Sequence, residues 1–154
     1  MYRRLTSREI AGIIIWWSEG TKSRRDKRWK TAKTYPIEVT NTNSEIIKLF
    51  LDFLRKDLKI DNERIYLQLQ IHKGDDREYL EDYWSKLTKI PRRSFQKTII
   101  RPAGNKIGKS KGTCKIRFSD KDLYLNLEKL LAAVLDEIRK KPTEVVKTLT
   151  DYNS

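Results

Sequence analysis

Two groups of residues in this chain could do chemistry. One is a carboxylate at the end of an apolar segment, Glu19. The other is a polar row, Tyr66, Gln68, Gln70 and His72, set in a strongly basic chain. Glu19 follows Trp16 and Trp17 in the run Ile10 to Gly20, which otherwise avoids charge. The last turn of a helix disfavours a carboxylate by a few tenths of a kcal/mol up to ~1 kcal/mol. A bound divalent cation, Mg²⁺ or another, reverses that penalty and gives the group a purpose. A solvated end-of-helix glutamate is the plain alternative. The second row comes from strict alternation: Ile65, Leu67, Leu69 and Ile71 point one way and the polar four point the other. Glutamine can pair bidentately with adenine in the major groove, which admits a two-stranded ribbon. The polar side of an ordinary amphipathic strand is the competing account.

Charge narrows the partner. There are 34 Lys+Arg against 21 Asp+Glu, a net +13, and this balance calls for a polyanion: nucleic acid or an acidic membrane surface. The longest apolar run falls well short of the ~20 residues that span a bilayer, so no membrane partner is expected. A single cysteine, Cys114, and a single histidine leave no internal disulfide and no zinc cluster. With no signal-peptide pattern, a cytoplasmic, nucleic-acid-associated protein is expected. A serine or cysteine hydrolase does not fit either, because His72 falls on an exposed strand face and no nucleophile elbow surrounds Ser18 or Cys114. Candidate phosphate contacts are Arg24, Arg25, Lys27, Arg28, Lys30 and Arg101. Lys106, Lys109 and Lys111 sit in a Gly/Lys-rich loop that could equally be a solvated hairpin loop.

These residues need elements to position them. Thr6 and Glu9 have capping-box spacing, and Gly20 is a natural left-handed terminator, so a helix is expected over 7–19. Ile13 to Trp17 leave it no polar face. Burial on all sides then requires its own sheet on one face and a second copy of the chain on the other. Trp29–Thr34 and Tyr35–Thr40 read as a hairpin or two neighbouring strands, with Pro36 at an edge or strand start. Thr42 and Glu45 have cap spacing for a helix over 44–58 with Ile46, Leu49, Phe50, Phe53 and Leu54 buried. Strand 65–72 precedes a helix over 76–87 with Leu80, Trp84 and Leu87 inward, and Asp75 and Asp76 are structural at its start. A strand over 95–101 follows. The last strand buries Cys114, Ile116 and Phe118 and presents Thr113, Lys115, Arg117 and Ser119. A final helix reaches about 140, burying Leu123, Leu127, Leu130, Leu131, Val134 and Ile138. The whole is one α+β domain over 1–141 with a tail over 142–154, a sandwich with an open basic sheet face.

Ile14-Ile15-Trp16-Trp17-Ser18-Glu19-Gly20 resembles the second half of the LAGLIDADG motif, with Ser-Glu-Gly in place of Ala-Asp-Gly. The αββαββα order, with one extra helix at about 76–87, is similar to the homing-endonuclease fold. Asn43-Ser44, Tyr83 to Leu87 and Ile90 to Lys97 look like small bacterial relatives of that family. The resemblance implies a homodimer joined through the 7–19 helix, with Ala11, Ile14, Ile15, Trp17 and Ser18 at the interface. It implies double-stranded DNA cut by metal-assisted hydrolysis, with Glu19 as metal ligand, Gly20 ending the helix beside it, and Lys97 or Lys22 assisting. Ile14 stands where the motif has glycine, which implies either wider helix crossing or a catalytically silent DNA-binding regulator. An RNA-binding splicing helper is the third reading.

Overall fold

The computed structural model describes residues 4–20, 24–25, 33–102 and 110–140, with only the backbone at 24, 25 and 33. The first helix, α1 (Ser7–Glu19), starts as its sequence requires. Thr6 accepts from the Glu9 amide, and Glu9 reaches back to the Thr6 amide at 2.6 Å. These bonds satisfy two donors that the first helical turn leaves open. Glu9, Gly12, Ile13 and Trp16 are buried, a spacing of i, i+3, i+4 and i+7. A bidentate pair from Arg8 to Asp57, at 2.7 and 3.0 Å, ties α1 to the next helical segment.

Two short strands, β1 (Arg24–Arg25) and β2 (Lys33–Thr34), pair antiparallel, and β3 (Pro36–Asn41) follows almost without a break. The expected hairpin therefore pairs within the basic stretch, not between 29–34 and 35–40. After it come α2 (Ser44–Asp52), β4 (Tyr66–His72), α3 (Arg77–Thr88), β5 (Ile99–Arg101), β6 (Thr113–Ser119) and α4 (Lys121–Lys140). The main sheet is open, in the order β3-β6-β4-β5. β6 runs antiparallel to β3 and β4, and β5 is parallel to β4. One face of it is apolar and fully buried: Ile37, Val39, Leu67, Leu69, Ile71, Cys114, Ile116 and Phe118. α1, α2 and α4 all pack against β3. The expected α+β sandwich is thus the observed architecture.

Several local expectations are corrected. Gly20 is extended (φ −88°), not left-handed; it pairs with Val39 on β3, and a side chain there would meet the Trp16 carbonyl at 2.1 Å. Close approach, not a positive φ, is what demands glycine. Asn43, not Thr42, caps α2, accepting from the Glu45 and Ile46 amides. The helix is α only to Asp52 and continues as a π-helical turn over Phe53–Asp57. Its buried stripe is Ile47, Phe50, Leu51, Phe53 and Leu54, while Leu49 is exposed. The strand expected over 95–101 shrinks to β5, with a 3₁₀ turn at Arg92–Ser94 before it. On α4, Tyr124, Leu127 and Val134 are buried, but Ile138 is exposed and Leu123, Leu130 and Leu131 are half-buried.

Candidate nucleic-acid interface

Pairing register decides which side chains share the outer face of the sheet. Glu38, Arg117 and Tyr66 form one cross-strand row. Thr40, Lys115 and Gln68 form the next, then Thr113, Gln70 and Ile99, and finally His72 and Arg101. Because strand side chains alternate, these rows all face away from the buried layer. The structure therefore gathers Tyr66, Gln68, Gln70, His72, Arg101, Lys115 and Arg117 on one surface. Among the residues of β3 to β6, Glu38 is the only acid. It is buried and stands 3.6 Å from Arg117, so it fixes that guanidinium more than it lowers the surface potential.

The amides are positioned but not consumed. Gln68 donates to the Lys97 carbonyl at 3.0 Å, and Gln70 accepts from Arg101 at 3.3 Å. A primary amide has two donors and two acceptor lone pairs, so each still has both a donor and an acceptor to offer. Asp75 accepts from the His72 amide at 2.9 Å and Asp76 caps α3, the structural roles expected of both.

Beside these rows lies an open recess of about 430 Å³, lined among the described residues by Arg64, Tyr66, Gln96, Arg117, Phe118 and Ser119. Arg64 lies 5.8 Å from the Phe118 ring centroid and 3.1 Å from Asp120. The Leu123 amide, then Arg64, hold the Asp120 carboxyl below its ordinary range. Sequence reasoning missed Arg64 and Gln96. Arg64 closes a 3₁₀ turn just before β4, where strand alternation does not apply, and nothing local marks Gln96.

Other candidates are not brought to this surface. Lys111 is held against α3: its ammonium donates to the Tyr79 hydroxyl at 2.9 Å and lies over the Tyr79 and Tyr83 rings. Lys22, Lys27, Arg28, Lys30, Lys106 and Lys109 lie outside the described residues, as do the side chains of Arg24 and Arg25. Glu19 is exposed where α1 meets the β3 edge. Lys97 sits beside β4 at the other side of the sheet. Four strand spacings separate them, on the order of 19 Å. One chain therefore does not pair Lys97 with Glu19.

The far face of α1 carries Ala11, Ile14 and Ile15, half-buried, and Ser18, exposed. Trp17 is 43% exposed and lines a groove between α1 and α4 with Trp16, Tyr124, Leu131 and Leu135. The helix is thus enclosed on one side by its own chain rather than on all sides. Among the described residues no three His, Cys, Asp or Glu side chains come together. Glu19 belongs to no such cluster among the described residues. Among the described residues no helix is long and apolar enough to cross a membrane. Compared with protein-family models, curated proteins and solved structures, the chain has no match in any of the three.

Proposed function

We propose that this chain is a DNA-binding protein that docks double-stranded DNA on the outer face of its sheet. The observation that carries this is the shared surface of Arg101, Lys115 and Arg117 with Tyr66, Gln68, Gln70 and His72, on which Glu38 is the only strand acid. The cations neutralise phosphates and set the register, and the amides meet base edges. Affinity measured by anisotropy on a mixed-sequence duplex should fall steeply with salt. Replacing Arg101 and Lys115 together by alanine should flatten the log–log salt slope by about 2, since each phosphate contact contributes ~0.9. An unchanged slope, or no binding at low salt, defeats the proposal.

A LAGLIDADG-type homodimeric endonuclease is the second reading. It is favoured by one observation: Glu19 is exposed at the end of a helix whose outer stripe, Ala11, Ile14, Ile15, Trp17 and Ser18, its own chain leaves partly uncovered. In that reading two copies each bring a Glu19 to one magnesium ion. Sedimentation of wild type and Trp17→Asp tests the dimer. Mg²⁺-dependent cutting of a randomised duplex library by wild type but not by Glu19→Gln tests the nuclease. A dimer that binds without cutting is the regulator; a monomer removes the nuclease reading.

A further inference from the structure

We infer that the recess between the start of β4 and the end of β6 receives a single unpaired nucleotide of the DNA docked on the sheet. This deepens the reading above and rests on it. At about 430 Å³ the recess falls within the range of sites that hold one small ligand and is far too small for a duplex. Its lining supplies what one nucleotide presents. Arg64 and Arg117 carry the charge for a phosphate, and Phe118 is buried behind Arg64. Tyr66 offers a ring that is 47% exposed, a face on which a base can stack. Gln96 and Ser119 offer an amide and a hydroxyl to a base edge.

No carboxylate belongs to the described lining. Asp120 and Glu38 instead hold the two guanidiniums from outside it, at 3.1 and 3.6 Å. Each guanidinium has five N–H donors, so one carboxylate contact leaves donors for a ligand. The aromatic face explains the preference for an unpaired nucleotide. In an intact duplex both faces of each base are covered by neighbouring bases. Only a base already out of the stack, or cheaply extruded, can lie on Tyr66. A bulged or mismatched base meets that condition at least cost.

The test compares two otherwise identical duplexes, one fully paired and one carrying a single bulged 2-aminopurine. Wild type should bind the bulged duplex at least about fivefold more tightly, the low end of what stacking one base contributes. Binding should also quench the 2-aminopurine relative to the free bulge. Arg64→Met and Gln96→Ala should each lower the ratio of bulged- to paired-duplex affinity toward one. Tyr66→Leu should abolish the quenching. Because loss of the Arg64–Asp120 pair could loosen α4, thermal melts accompany each variant, and Gln96→Ala, which breaks no ion pair, decides if Arg64→Met melts early. Equal binding of both duplexes, or quenching that survives Tyr66→Leu, overturns the inference and leaves sheet docking intact. Failure to bind either duplex overturns the docking proposal itself.

Discussion

Replacing Gly12 by alanine should destabilise the protein, although glycine is a poor helix residue. A Cβ at this position would lie 2.2 Å from Cγ, 2.4 Å from Cδ2 and 2.7 Å from Cβ of Phe53. Ordinary carbon contacts sit near 3.5–4.0 Å, so the ring would have to retreat by more than ~1 Å. It has nowhere to go. Phe53 is 1% exposed, begins the π-helical turn and packs against Phe50. Overpacking of this kind costs about 1–3 kcal/mol, and the close distances argue for the upper half of that range. Alanine returns ~0.8–1.0 kcal/mol through its better helix propensity. The net loss is about 1–2 kcal/mol, or a fall in Tm of roughly 2–8 °C at this chain length. Urea unfolding followed by tryptophan fluorescence should show a lower midpoint with an unchanged slope. Combining Gly12→Ala with Phe53→Leu should cost less than the sum of the two single changes, because the smaller side chain makes room. A Gly12→Ala protein as stable as wild type, or strictly additive effects, would refute the close packing of α1 on the π turn.

Two further outcomes follow from buried groups. Burial alone would raise the Glu81 carboxyl. Hydrogen bonds from Arg77 at 2.9 Å, Thr98 at 2.7 Å and Arg92 at 2.6 Å outweigh it and hold the group at about 2. A carboxyl lowered on folding stabilises above its unfolded value, and that stability is lost as pH falls from about 4.5 toward 2. Glu81→Gln should cost about 1–3 kcal/mol at neutral pH and flatten this acid limb of the melting profile; an unchanged limb would assign the acid loss to other carboxyls. Cys114 is fully buried on β6, and burial pushes its thiol up. A disulfide reagent at pH 8 should label it only as fast as the protein opens, and immediate labelling would contradict its place in the core.

Legibility followed the physics of each element. β4 and β6 could be read because one face is apolar and the other polar, and period-two alternation writes that difference into the residue order. The start of α1 was equally clear, since a capping box is a local device. The register of α2 was not. Ile46-Ile47, Leu49-Phe50-Leu51 and Phe53-Leu54 contain two apolar stripes one residue apart. Packing against β3 and α1, with the extra residue of the π turn, selects the second. β5 was overextended because a short parallel pairing leaves no local mark. At the interface, the outward residues of β4 and β6 were identifiable one strand at a time. Their alignment into shared rows, and the recess that joins Arg64 to Gln96, depend on register between strands far apart in sequence.

The position of β6 has a consequence for how the molecule is made. β3 and β4 do not pair with each other; β6, which comes late in the chain, lies between them and joins the two. A ribosome that has released the first hundred residues has delivered three of the four main-sheet strands with the central seam still missing. Until residues 113–119 emerge, β3 and β4 have lateral backbone groups awaiting the same partner, and the nascent domain is most exposed to pairing with the wrong one.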